Sequence, residues 1–561
     1  MKFFCGVFFL FSIASFLFFS CEKAKKKEIV SKKPNILFVM VDDLGYGQWG
    51  VNNTTLNTDS FDPYFVQLVK ERQDYTPEEA LQLSKMAIPT MTSLAKDGVV
   101  FSNAYTSSNL CAPSRMGIAT GVFQGKYGIY TNLDCEAKGL EKGTHLAEKL
   151  KDLGYATAHI GKWHIGRRDD NVLKNVLREA GIDENMPYRK VKEINLEAYK
   201  AMEASGYRGS VIKKDNPLNH GFDYYYGYNY WSSQFYNSTL VWENYEHAGK
   251  QKGYNTDVFT DKALDFMKEQ AKSDKPFYVQ LDYHAVHDSL QPKAPSKYYD
   301  RFKTKSYDLN NFYAHVYGVD YNLKRITEYL KSINQLENTI IAFTSDNGGM
   351  TGGPSTLPGN APFAGHKGTY YQGGMHVPMF FYWKGKIHEG FKSDELVSAM
   401  DIIPTLIDAA EGKVPENIDG KSLLPLVTKQ TKEPVHDYLY WAGIHSRKWG
   451  FLLNKSVLSR GEEPGHAPPA WTVIKENYLL RYVGEIEKGI YTDFLEGDKP
   501  KFELYNILKD PSEKYNLAQE LPDKVKELVA LYNNNKKELK PPVDWKKAKW
   551  EELVSIQSAS K

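Results

Sequence analysis

Four unbroken apolar segments, each closed by a polar or glycine-rich turn, constrain the fold of this chain more than any other feature. Asn35 to Val41 runs into Asp42-Asp43, and Ala156 to Ile160 runs into Gly161-Lys162-Trp163-His164. Phe277 to Leu281 leads to His284 and His287, and Thr339 to Thr344 leads to Asp346-Asn347-Gly348-Gly349. Stretches with helical apolar spacing lie between them, at Thr144 to Leu153, Thr260 to Ala271 and Phe312 to Ile333. A continuously apolar strand must be covered on both faces. Such strands alternating with amphipathic helices predict an α/β fold, a large and mainly parallel sheet sandwiched by helices. Ligands of these sheets bind beyond the carboxyl ends of the strands, where all the polar residues just named fall, so one shared site is expected.

The rest of the chain divides by pattern. With 561 residues, 42% of them hydrophobic, it can bury a large core. Beyond about Lys429 the strands shorten, as at Tyr478 to Val483, and a last helix reads from Pro522 to Lys537. This predicts a catalytic domain over 34–429 and a smaller C-terminal α+β domain over 430–561. Val51 to Lys85 is polar, then helical in composition, and reads as an insertion at the rim. Gly221 to Trp231 is dense in aromatics that suit core or loop packing, with sugar stacking as the less common alternative. A formal net charge of +2 with dispersed lysines gives no basic field, so nucleic acid is not an expected partner.

The first 20 residues read as an export signal: Lys2, an apolar run from Phe3 to Phe19, then Ser20-Cys21. A small residue before Cys resembles a bacterial lipobox. Cleavage there would leave Cys21 as a lipidated first residue, with the lysine-rich 21–33 stretch as a tether to a periplasm-facing membrane or the cell surface. An uncleaved membrane anchor is the competing reading, since the run approaches spanning length. Of the four cysteines, Cys5 and Cys21 belong to this segment. Cys111 and Cys135 remain, either as a disulfide or as a used thiol and a spare one.

Cys111-Ala112-Pro113-Ser114-Arg115, followed by Met116 to Gly121, reads as a short helix with Pro113 at its favoured first position, Gly121 as its stop, a potential nucleophile at its mouth and Arg115 one turn behind. Its first amides would face an anion bound near Cys111. Asp42, Asp43, Asp346 and Asn347 offer only hard oxygen donors, suited to calcium or magnesium rather than zinc. Acids so close together repel unless a cation lies between them. With Arg115, Lys162, His164, His287 and Lys367 they form an inventory suited to a tetrahedral oxyanion ester.

The chain resembles the type I sulfatases of the alkaline phosphatase superfamily. The likeness is carried by Pro34 to Gly47, Cys111 to Arg115 with Thr120-Gly121, Gly161 to Gly166, Thr344 to Gly349, Gly373 to Pro378, and Glu503 to Asn506 followed by Asp510-Pro511. The resemblance implies that a maturation enzyme oxidises Cys111 to formylglycine, whose hydrated aldehyde attacks sulfur and later expels sulfate. It also implies one calcium ion held by Asp42, Asp43, Asp346, Asn347 and the modified Cys111. Arg115 and Lys162 would stabilise the nucleophile, His164 would hold or deprotonate it, and His287 and Lys367 would bind sulfate or assist the leaving group. Three positions depart from the pattern: Val286 where proline is usual before His287, His376 where arginine is common, and the long Val51 to Lys85 stretch. The expected substrate is a sulfated carbohydrate, an oligosaccharide of a sulfated polysaccharide. A phosphonate or phosphate ester hydrolase and a non-catalytic glycan-binding lipoprotein are the alternatives.

Overall fold

The computed structural model describes residues 1, 33–61, 63–273, 275–350, 357–430, 433–444, 469–483 and 501–542. The expected export signal, the lipidated Cys21 and nearly all of the tether fall on residues 2–32, outside the described residues. No described helix is long and apolar enough to cross a membrane.

Among the described residues, twelve strands precede the C-terminal region: β1 (Asn35–Val41), β2 (Val99–Phe101), β3 (Ala104–Tyr105), β4 (Ala156–Lys162), β5 (Tyr224–Tyr228), β6 (Trp242–Glu243), β7 (Glu246–His247), β8 (Phe277–Asp282), β9 (Thr339–Ser345), β10 (Met379–Tyr382), β11 (Phe391–Ser393) and β12 (Val397–Ser398). Ten form one sheet in the order β11-β2-β10-β9-β1-β8-β4-β5-β6-β7, and β3 pairs with β12 beside it. The centre of the large sheet, β9-β1-β8-β4-β5, is wholly parallel. β10 runs antiparallel to β9.

Every residue of β1, β4, β8 and β9 is buried, and alternation assigns each to one of two cores. Leu37, Val39 and Val41 join Ile341 and Phe343 on one face, under the helices Asn255–Gln270 and Tyr307–Ser332. Ile36, Phe38 and Met40 join Ile340 and Ala342 on the other, under Cys111–Thr120 and Ile402–Ala409. Val41 pairs with Ser345 and Met40 with Asp282, while Gly161 also pairs with Asp282. The strands therefore end level. That register brings Asp42, Lys162, Asp282 and Asp346 to a single edge.

The expected helix at Thr144 to Leu153 is shorter, Ala147–Asp152, and that at Thr260 to Ala271 begins earlier, at Asn255. The Val51 to Lys85 stretch is helical in its second half, as its composition suggests, and its Arg72 pairs with Asp308 at 2.8 Å. It folds into helices Pro63–Arg72 and Pro77–Met86, which bury Val69, Ala80 and Leu83 in the core under Tyr307–Ser332.

The C-terminal region forms an antiparallel sheet of β13 (Tyr438–Ile444), β14 (Pro469–Lys475), β15 (Tyr478–Val483) and β16 (Lys501–Asn506). One face takes the helix Pro522–Asn535, with Trp471 stacked on Tyr532 at 4.2 Å. The other face packs Trp441, Ala470 and Leu479 against Tyr105, Tyr370 and Met375 of the large domain. At that seam buried Arg481 binds Glu503 and Glu513, and Glu513 accepts the backbone N–H of Gln372 at 2.8 Å. The small sheet thus braces the segment that follows Lys367.

Candidate active site

Asp42 and Asp43 leave β1 directly, and Asp43 adopts φ 63°, a left-handed conformation an aspartate tolerates better than most residues. Its backbone N–H donates to Asp346 Oδ1 at 3.2 Å, tying the two strand ends together. Asn347 Nδ2 donates to Asp43 Oδ1 at 2.7 Å. The four oxygen-bearing residues predicted from separate strands therefore share one buried pocket.

Cys111 opens the helix Cys111–Thr120 from above these strand ends and is fully buried. The helix starts two residues before the proline that was expected to open it. Pro113 occupies the third helical position, where its missing N–H is one of the unpaired donors of a helix start. Gly121 ends the helix at φ 66°, as its lack of a Cβ permits. The Ala112 N–H is taken by Asn132 Oδ1 at 3.2 Å, so that amide does not face the pocket as predicted. Cys111 and Cys135 are both free and buried, which removes the disulfide alternative.

The cations converge from other elements. Lys162, at the end of β4, donates to Asp42 Oδ2 at 2.5 Å and to the Trp231 carbonyl at 2.8 Å. Lys367 lies 2.7 Å from Asp43 Oδ1. Arg115 reaches Asp346 at 2.8 Å, Asp282 at 3.2 Å and Asp42 at 3.8 Å. Asp282 escaped the sequence reading because a single strand-terminal acid carries no doublet or glycine turn to mark it. It also faces His159 Nε2 at 3.2 Å.

Burial and charge set the protonation states. Burial pushes the Cys111 thiol up to about 12, so an unmodified thiol is not ionised near neutrality. Burial, with Asp42 alongside, pushes the Asp346 carboxyl up to about 7. Burial also opposes ionisation of Asp42, but Lys162 above all, with His287 and Arg115, holds that carboxyl well below its usual value. Burial holds the His164 ring well below its ordinary value, reinforced by Lys162. For His287, burial and then Lys367 bring the ring to about 4.

Both histidines are thus neutral at pH 7. His287 Nδ1 lies 2.6 Å from the Asp288 carbonyl, which can only accept, so Nδ1 carries the proton and Nε2 keeps its lone pair. Neither ring nitrogen of His164 has a hydrogen-bond partner among the described residues.

The donor set fits a hard cation. Ligand atoms of Asp42, Asp43, Cys111 and His287 lie within 4.8 Å of one another. Asp42 Oδ1 and Asn347 Oδ1 are buried oxygens with no hydrogen-bond partner among the described residues, an omission that an oxygen-seeking ion such as calcium would repair. His287 thus sits within reach of the metal pocket as well as of the predicted sulfate position.

Residues 34–413 match the model of the Sulfatase family. The chain belongs to the sulfatase family. It is accordingly a sulfuric ester hydrolase. An uncharacterised sulfatase of Escherichia coli (strain K12), YdeN, is 33% identical over 522 residues, covering 91% of this sulfatase and 87% of its own chain. Two solved structures share the fold. One is Ps i-CgsB in complex with k-i-k-neocarrahexaose, with TM-score 0.65, 22% identity, and coverage of 94% of this chain and 98% of that one. The other is a protein in complex with its substrate D-glucosamine-2-N, 6-O-disulfate, with TM-score 0.59, 20% identity, and coverage of 91% and 98%.

In this sulfatase the atypical His376 packs as a neutral ring, 4.1 Å from Phe363 and 4.4 Å from Tyr105, with Nε2 2.9 Å from the Ser102 carbonyl. It makes no ion pair among the described residues. Most aromatics of Gly221 to Trp231 are core: Tyr225, Tyr226 and Tyr228 are buried in or beside β5. Trp231 alone of its large aromatics is well exposed, at 45%, and its ring lies 6.2 Å from that of His287.

Proposed function

We propose that this sulfatase removes sulfate esters from carbohydrate, through formylglycine made from Cys111 and one calcium ion bound by Asp42, Asp43, Asp346 and Asn347. The observation that carries the reading is Cys111 itself, buried at a helix N-terminus and within ligand distance of the Asp42-Asp43 pair. A buried thiol pushed up to about 12 is a poor nucleophile, which supports its replacement by an aldehyde hydrate. When in place, the hydrate supplies the attacking oxygen and the cation its activation.

The chain's own groups do the rest. Arg115 fixes Asp346, and Lys162 and Lys367 supply fixed positive charge for a sulfate anion. His164, neutral and with neither ring nitrogen hydrogen-bonded among the described residues, can accept a proton. A sulfate beside His287 Nε2 raises that ring's proton affinity and prepares it to protonate the leaving oxygen. The exposed Trp231 beside His287 supports a sugar as the group leaving, as do solved neighbours that hold neocarrahexaose and a glucosamine disulfate.

The test is Cys111→Ser, produced in a host that does not oxidise serine. Mass spectrometry of the wild-type peptide should show aldehyde in place of thiol. The serine variant should keep its fold and lose turnover by roughly a thousandfold or more, since an alcohol has no second hydroxyl to expel sulfate. Full activity with an intact Cys111 thiol overturns the reading.

We further propose that the protein is exported and lipidated at Cys21, supported by the apolar run ending in Ser20-Cys21. Labelling with a fatty acid should disappear in Cys21→Ala; equal labelling of both forms excludes it.

A further inference from the structure

A cavity of about 240 Å³ opens beside the catalytic centre, with Asp43 as one of its walls. It is smaller than the roughly 300–1,000 Å³ of pockets for drug-sized ligands, so it admits one sugar ring rather than several. Its charged lining is acidic throughout: Asp43, Asp288 and Asp308. Ser289 and Gln291 add uncharged polar groups, and Phe312 adds an apolar surface. No lysine, arginine or histidine lines it among the described residues.

The three acids differ in what balances them. Asp43 is paired with Lys367 at 2.7 Å, and Asp308 with Arg72 at 2.8 Å. Asp288 has no ion pair among the described residues. Its backbone is pinned next to the site, because its carbonyl takes the His287 Nδ1 proton at 2.6 Å and the Ser232 hydroxyl at 3.2 Å. Burial and then Asp43 push its carboxyl above the ordinary value, and Lys367, the cation that opposes this, is already paired with Asp43.

We infer that this cavity takes the sugar released by hydrolysis, and that the sugar is uncharged apart from its sulfate, with hydroxyls donating to Asp288 and with uronates or second sulfates refused. An ionised carboxylate only accepts hydrogen bonds, so Asp288 welcomes hydroxyl donors and repels an anion placed next to it. Discrimination thus comes from a repulsive element, while the sulfate itself is bound on the cationic side of the centre by Lys162 and Lys367. The inference rests on the sulfatase-on-carbohydrate reading and narrows it.

The experiment uses the full-length enzyme with formylglycine verified at Cys111. Matched pairs of monosulfated methyl glycosides share a sulfate position, one member carrying a hydroxymethyl group and the other a carboxylate. Wild type should favour the neutral member by at least about tenfold in kcat/KM. Asp288→Asn should narrow that ratio several-fold, and Asp288→Lys should abolish or reverse it. An equal or better anionic substrate in wild type, or a ratio untouched in Asp288→Asn, overturns the inference while leaving the sulfatase reading standing. Absence of turnover on every glycoside and on 4-nitrophenyl sulfate sinks both.

Discussion

Arg115 makes a fork between Asp346 at 2.8 Å and Asp282 at 3.2 Å, with a further bond from Nη1 to the Lys162 carbonyl at 3.0 Å. A guanidinium held this way has one orientation available, and it fixes Asp346 in turn. Asp282 touches no predicted ligand of the cation, so it acts through Arg115. Asp282→Asn should lower kcat about 10- to 100-fold, the usual effect of losing an outer-shell partner, with metal content unchanged by elemental analysis. A fall in metal content that matches the fall in kcat would make Asp282 part of the metal site instead. Ten residues of this centre were legible in the sequence, because doublets, glycine turns and family spacing mark them. Asp282 was not, since its role depends on strand register, and the register of β1 against β8 emerges only when the sheet is assembled.

Every residue of the helix Cys111–Thr120 is buried, so its position is set by close packing rather than by one amphipathic stripe. At Gly117 there is no room for a side chain: a Cβ there would stand 2.8 Å from the Ser107 Cβ. Gly117→Ala must therefore shift the helix or the Ser107 loop. We expect a loss of about 1–3 kcal/mol of stability, with kcat reduced because Cys111 rides on the same helix. Thermal melts and steady-state kinetics check both parts. An unchanged melting temperature would show that the Ser107 loop yields freely. The existence of this helix was readable from Cys111 to Gly121, but its start was not, because Pro113 fits the third position as well as the first. The Val51 to Lys85 stretch was legible as helical, but not which of its residues are core: Val69, Ala80 and Leu83 are buried in the core that the helix Tyr307–Ser332 shares, which only the assembled fold reveals.

At the scale of the molecule, a level sheet edge gathers acids from three strands, and the cost of that gathering is visible in Asp346. Its carboxyl, pushed up to about 7 by burial and Asp42, stands above the ordinary 3.8 of an aspartate. A carboxyl raised in the folded state favours folding at low pH, and that contribution is lost as pH rises through the folded value. The metal-free protein should therefore lose stability between about pH 4 and pH 7 on account of this group. Asp42, held well below its usual value, works in the opposite direction but only below the ordinary aspartate range, outside that window. A bound divalent cation favours the ionised carboxylate and removes the penalty, so its stabilisation should grow with pH. Differential scanning calorimetry with calcium and with chelator tests this: the gain in melting temperature should be several degrees larger at about pH 8 than at about pH 5. Asp346→Asn should flatten the dependence, because an amide has no proton to release. A calcium effect equal at both pH values, or one that survives unaltered in Asp346→Asn, would mean that the cation does not sit where the four strand-end residues meet.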